Sequence, residues 1–175
     1  MTKRKNYKTT LISIGKIIPE IHYGVFSRDW WIAIEKDSNN QATMLCPIRI
    51  GMKTHVELNG HEFFINVLEP NIEDSSSPTY QASCGLAYSE IYMSSSTAIT
   101  SLYQQLFGTK TKFSGQLVMG FNQSDIVKQL LEDINFQPFE FYLDQLRIVV
   151  LELVYQKIKI GTMLEPDTNH HLLII

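Results

Sequence analysis

Up to the loop Asp74-Ser75-Ser76-Ser77-Pro78, apolar and polar side chains mostly alternate, and beyond it apolar residues return at helical spacing. The first part therefore predicts strands. Thr9 to Ile18 is rich in Ile and Leu and stops at Pro19. Trp30 to Ile34 is closed by the polar turn Lys36-Asp37-Ser38-Asn39-Asn40. Thr43 to Ile50 is a third strand, in which Pro47 implies an edge position or a bulge, because proline offers no amide proton to a ladder. The sharpest local signal is Val56-Glu57-Leu58-Asn59-Gly60-His61-Glu62-Phe63. Asn-Gly is the preferred two-residue hairpin turn, since both positions need positive φ. Pairing Leu58 with His61 puts Val56, Leu58, Phe63 and Ile65 on a core face and His55, Glu57, Glu62 and Phe64 on a wetter one.

After the loop, Ser94-Ser95-Ser96 supplies hydroxyl caps for a helix carrying Ile99, Leu102, Tyr103 and Leu106, and Gly108 is placed to end it. A second helix is predicted from Gln123 to Ile134. Asn122 is its cap, Asp125 follows three residues on, and Ile126, Val127, Leu130, Leu131 and Ile134 form its apolar stripe. Phe139–Leu143 and Leu146–Ile160 read as further strands, although Arg147–Leu151 also suits a helix. Strands, two helices and strands again form an α+β plan: a single domain, one antiparallel sheet with two amphipathic helices on one face and additional C-terminal strands. The boundaries are 9–160 for the domain, divided into 9–68, 79–137 and 139–160, with 1–8 and 161–175 as tails.

Composition narrows the classes of function. The 175 residues are 44% hydrophobic, enough for a core without staples, and the net charge of −3 opposes broad attraction to a phosphate backbone. No apolar run approaches the roughly 20 residues that cross a bilayer. Two cysteines, Cys46 and Cys84, make neither a zinc quartet nor a disulfide framework, so an intracellular protein is expected. Lys3, Arg4, Lys5 and Lys8 form a basic N-terminus that reads as a frayed end or an import patch.

Several residues invite chemistry. Ser83-Cys84-Gly85 allows a thiol nucleophile with a histidine base, as in a small hydrolase or transferase, against the plainer reading of a packed strand cysteine. Glu57 and Glu62 should oppose each other beside His55, a pairing that suits acid–base work, a metal, or simply a solvated sheet face. His55 and His61 fall on opposite faces, and His170 and His171 lie in the tail. Lys110-Thr111-Lys112 stands near two helix ends, as a phosphate site or weak nucleic-acid contact would, but Gly108, Gly115 and Gly120 lack nucleotide-loop spacing. Trp30 and Trp31, adjacent in a strand, should face opposite ways, one into the core and one outward to a covering segment or a partner.

An ordered set of short motifs resembles the FYR module. Ser114-Gly115-Gln116-Leu117-Val118-Met119-Gly120-Phe121, followed by Ile126 and Leu130, is similar to its C-terminal half, with Gln116 and Met119 where the family has Pro and Phe. The Ser94–Ser96 helix start and Glu62-Phe63-Phe64-Ile65 match further positions. Ile14-Gly15-Lys16-Ile17, Gly24-Val25-Phe26-Ser27-Arg28-Asp29-Trp30-Trp31 and Cys46-Pro47-Ile48 resemble its N-terminal half. On this resemblance, 9–68 is FYRN-like and 79–137 FYRC-like, the two halves folding together as one α+β unit. The resemblance implies a non-catalytic protein–protein interaction domain of a nuclear, chromatin-associated or transcription-regulating protein. No cofactor and no metal are expected, the partner is a protein, and Phe26, Trp30 and Trp31 are the expected partner-binding residues.

Overall fold

The computed structural model describes residues 7–24, 27–34, 43–69, 77–143, 146–157 and 168–174. The elements, in chain order, begin with β1 (Thr9–Ser13), α1 (Pro19–His22), a 3-10 turn (Ser27–Trp30), β2 (Trp31–Ala33) and β3 (Thr43–Pro47). A meander follows: β4 (Lys53–Leu58), β5 (His61–Val67), β6 (Tyr80–Cys84) and β7 (Ala87–Tyr88). The chain continues as α2 (Ser95–Phe107), α3 (Gly115–Val118), α4 (Ser124–Leu131), β8 (Phe139–Leu143), β9 (Leu146–Lys157) and β10 (Thr168–Ile174).

The class is α+β, with antiparallel pairing throughout, but the strands form two sheets instead of one. One runs β1-β4-β5-β6-β7 and the other β10-β9-β8-β3-β2. The division falls between β3 and β4. Pro47 ends β3 beyond the two positions, Thr43 and Met44, at which β8 pairs with it, so its missing N–H costs no ladder bond there. Gly51 (φ 77°) then turns the chain, with the Met52 amide donating to the Arg49 carbonyl at 3.1 Å, and β4 starts in the other sheet. β3 is thus interior, not an edge strand. The expected C-terminal strands exist, and they extend the second sheet. Residues 161–175, expected to be a tail, contribute β10, in which His170 and His171 stand opposite Tyr155 and Val154.

The hairpin register is the expected one: Leu58 opposite His61, Glu57 opposite Glu62, Val56 opposite Phe63, with Asn59 and Gly60 at φ 53° and 73°. Val56, Leu58, Phe63 and Ile65 are all buried. On this face lies α2, whose Tyr103 and Phe107 rings meet Phe63 at 5.9 and 6.4 Å. The Ser94 hydroxyl accepts from the Thr97 amide at its start, and Gly108 (φ 61°) closes it. By contrast, α4 packs against β3, so the two helices do not share one sheet face. It is also shorter than the spacing implied, beginning after Gln123 with no side-chain cap. Asn122 lies outside it, and the Gln123 amide group instead donates to the Tyr7 carbonyl at 3.1 Å.

A single core unites both sheets and all three later helices, running from Trp30 and Leu45 through Phe63, Ile99 and Met119 to Leu130 and Val149. Two polar features lock it. Arg49, 1% exposed, lies at the C-terminal end of α4, where its Nε and Nη2 donate to the Leu130 carbonyl at 3.2 and 2.9 Å. That carbonyl is one of the last-turn acceptors that no amide of the helix satisfies. The same guanidinium pairs with the exposed Asp133 carboxylate, Nη1 donating to Oδ2 at 3.2 Å and Nη2 to Oδ1, and this holds the Asp133 carboxyl below its usual range. Gly115 makes the second lock. Its amide donates to the Ser96 hydroxyl at 2.8 Å, joining the starts of α2 and α3. A β-carbon there would collide with Ser95 Oγ and the Ser96 amide and would lie 2.6 Å from the Ser95 carbonyl carbon.

Unfolding of three variants checks these contacts. Arg49→Ala removes both bonds to Leu130 and opens a void, so urea unfolding should show a loss of about 2–4 kcal/mol. Asp133→Asn should lose less, because water reaches its side of the pair. Gly115→Ala should lose about 1–3 kcal/mol through forced separation of the two helix starts.

Candidate functional site

Both tryptophans lie inside. Trp30 ends the 3-10 turn instead of starting a strand, so it does not alternate with Trp31, and the two indoles are 0% and 6% exposed. Trp31 Nε1 donates to the His22 carbonyl at 2.7 Å, which anchors that ring inward. Neither ring therefore offers the exposed outward face expected of a partner surface. Phe26, the third residue of that expected surface, lies outside the described residues, as do Lys3, Arg4 and Lys5.

The other candidates take simple places. Cys84 ends β6 on the core side, partly covered, and burial pushes its thiol up. Cys46 is fully buried beside the tryptophans, and its thiol is pushed up to about 12 by the same cause. Neither setting favours a thiolate nucleophile. Glu57 and Glu62 oppose each other as expected and are exposed. His55 Nε2 lies 3.6 Å from Glu62 Oε1, too long for a hydrogen bond, and its ring rests on Phe64 at 5.0 Å. His61 instead meets Phe107 of α2 at 5.1 Å, on the other face. Among the described residues no group of three or more His, Cys, Asp or Glu side chains could hold a metal ion. Lys110 and Lys112 are exposed in the turn after α2. Among the described residues no helix is long and apolar enough to cross a membrane.

The most unusual surface lies at the β7 edge of the first sheet. Four apolar side chains follow one another there in the open: Leu86 (97% exposed), Tyr88 (58%), Ile91 (59%) and Met93 (68%). Leu86 occupies the tip of the two-residue turn between β6 and β7, a position that ordinarily carries a polar residue. In an antiparallel ladder, hydrogen-bonded and non-bonded pairs alternate. Cys84 and Ala87 close the turn and the Ser89 amide donates to the Ala82 carbonyl, so Tyr88 is a non-bonded partner of Ser83. The amide and carbonyl of Tyr88 accordingly point away from the sheet. Ser89 keeps the edge in shape, its hydroxyl accepting from the Ala82 amide at 3.0 Å and donating to the Glu90 carbonyl at 2.6 Å.

Past Met93 the strip runs into a cleft of about 450 Å³ lined by Arg28, Asp29, Trp31, Ile32, Ile48, Tyr80 and the Ser94–Ser96 helix start. A larger cleft, about 650 Å³, opens between the second sheet and α3, with Thr43, Gln116, Phe121 and the buried Glu140 among its walls. The alternation rule did not reveal the β7 strip, because it lies on a turn and an irregular edge. Its signal is six hydrophobic residues among the eight from Leu86 to Met93, with one charge, Glu90.

No protein-family model, no curated protein and no solved structure matches this chain.

The thiols provide a direct check. Iodoacetamide at about pH 7 should therefore modify the fully buried Cys46 far more slowly than a free thiol of pKa about 8.5, and the part-covered Cys84 more slowly than that free thiol but faster than Cys46. Unfolding in urea should restore the free-thiol rate, as read by intact mass.

Proposed function

We propose that this chain is a non-catalytic protein-binding domain of the FYR type, working in a nuclear, chromatin-associated or transcription-regulating protein. The observation that carries the reading is the β7 edge. Outward backbone groups at Tyr88 beside exposed Leu86, Ile91 and Met93 provide what an extended peptide needs to add itself as a strand. Main-chain bonds supply affinity in that mode, and apolar contacts to alternate side chains supply selection. Glu90, the one charged residue between Leu86 and Met93, favours a segment carrying Lys or Arg among apolar residues.

The FYR reading draws support from the glycines of its motifs. Gly15, in the Ile-Gly-Lys-Ile stretch, has φ 75°, and a β-carbon there would lie 2.6 Å from both the Ile50 carbonyl oxygen and the Met52 amide nitrogen. Gly115, in the Ser-Gly stretch, is equally confined. The two halves also interlock: Thr9 Oγ1 donates to the Val118 carbonyl at 2.9 Å, and the Gln137 side-chain amide to the Leu45 carbonyl at 3.2 Å. A module whose halves hold one another suits a protein that tethers partners.

The test is affinity capture from nuclear extract with the wild-type chain and with a Leu86→Asp, Ile91→Asp double variant. The substituted side chains are already exposed, so far-UV circular dichroism should not change. Captured nuclear proteins should fall at least about tenfold, equivalent to about 1.4 kcal/mol per binding event. Equal capture by the two proteins would remove the edge as the binding surface, and measurable hydrolase or transferase turnover by the purified chain would remove the non-catalytic reading.

A further inference from the structure

The first sheet has two unlike faces. One carries Val56, Leu58, Phe63 and Ile65 into the core beneath α2. Antiparallel sheets commonly leave the other face to water, and that face is then polar. Here it is polar only at its ends. The strand registers set Thr10, His55, Phe64, Ser83 and Tyr88 side by side in one row that crosses all five strands. Phe64 stands at the middle of this row, half-buried, with the His55 ring 5.0 Å from it between centroids and the exposed Tyr88 at the β7 end.

Charge divides the face on either side of that row. Toward one end lies Lys53, beside Asn66 and Gln81, its ammonium 4.8 Å from the centre of the Phe64 ring. Toward the other end Glu57 and Glu62 are cross-strand partners, a like-charge pair that is unfavourable by itself. Lys8 shares the rim of a small cleft with Glu57, so two carboxylates meet one ammonium and this end keeps one negative charge in excess. The Lys53 end keeps one positive charge. Each charged row is two residues, roughly 6.6 Å, from the aromatic one.

We propose that this face binds the same face of a second copy of the chain. A two-fold axis laid along the aromatic row turns one sheet over onto the other and reverses the strand direction, while each strand stays over its own counterpart. Phe64 then meets Phe64 of the second copy. Lys53 meets Glu57 and Glu62 of the second copy, and the same contact is made again at the opposite end, as an isologous interface requires. A partner of one charge, such as a nucleic-acid strand, would be repelled at one end, whereas a copy turned in this way is attracted at both. The face is small, about 19 Å across its strands and about 13 Å between its charged rows, so the dimer is of the weak, concentration-dependent kind. This inference does not rest on the partner-binding reading of the β7 edge. That reading uses the outward backbone of Tyr88, and this one uses the flat side of the sheet.

The experiment is sedimentation equilibrium of the full chain from about 1 to about 100 µM. The weight-average mass should climb with concentration from 20.1 kDa toward twice that value. Lys53→Glu, or Glu57→Lys together with Glu62→Lys, should raise the dissociation constant at least about tenfold, because each sets like charges against one another at both ends. An equimolar mixture of the two variants should associate as the wild type does, since opposite charges face each other again. A mass that stays at 20.1 kDa in the wild type, association indifferent to either reversal, or a mixture that remains monomeric would overturn the proposal. Far-UV circular dichroism checks that the variants fold. If one does not, carbodiimide coupling of a mixture of normal and isotope-labelled wild-type chain decides. Mixed-isotope amide links from Lys53 to Glu57 or Glu62 support the dimer, and their absence refutes it.

Discussion

A guanidinium withdrawn from water joins the two parts of the chain. Arg49 stands where the backbone leaves the second sheet for the first, and its donors go to the last turn of α4, which arrives from the far side of the sequence. Burying such a cation is unfavourable unless each donor is matched, so the turn after β3 and the end of α4 have one good mutual placement. Around that placement the remaining links make sense. Gln123 reaches the Tyr7 carbonyl, Thr9 reaches Val118, and β3 pairs with β8. An apolar core alone would tolerate sliding between these pieces, whereas a forked donor aimed at one carbonyl does not.

How much of this was visible beforehand depends on whether the determining signal was local. The Asn59-Gly60 turn carried its own geometry, so register and core face could be read from eight residues. The α2 helix declared both of its ends, at Ser94 and Gly108. Splitting into two sheets could not be read this way. Pro47 signals a break in the strand, but whether a proline marks an edge, a bulge or a strand end depends on where β8 stops, which is a long-range fact. Trp30 and Trp31 failed for a related reason. Alternation applies only within a strand, and the preceding 3-10 turn placed Trp30 outside that rule. Arg49 carries no signal of its role in the sequence, since a lone arginine among apolar residues reads as surface until its carbonyl partner is known.

The same distinction applies to the candidate site. Residues chosen for chemical character, such as Cys84 or the Glu57–Glu62 pair, took ordinary positions as a part-covered thiol and an exposed cross-strand pair. The exposed β7 strip consists of side chains with no reactive group, and it becomes conspicuous only when accessibility is known. A binding surface of this kind is a matter of which apolar groups were left outside, so it is a property of the fold more than of any motif.

The pairing of β3 with β8 has a bearing on how the protein is made. β4 to β7 form a meander of neighbours, whose ladders can close as soon as they leave the ribosome. β3 is synthesised before them but must wait for Phe139 and Glu140, with β2 on one flank and nothing yet on the other. During translation, then, a half-built second sheet hangs from a finished first one, and its open flank is where a chaperone would have most to shield.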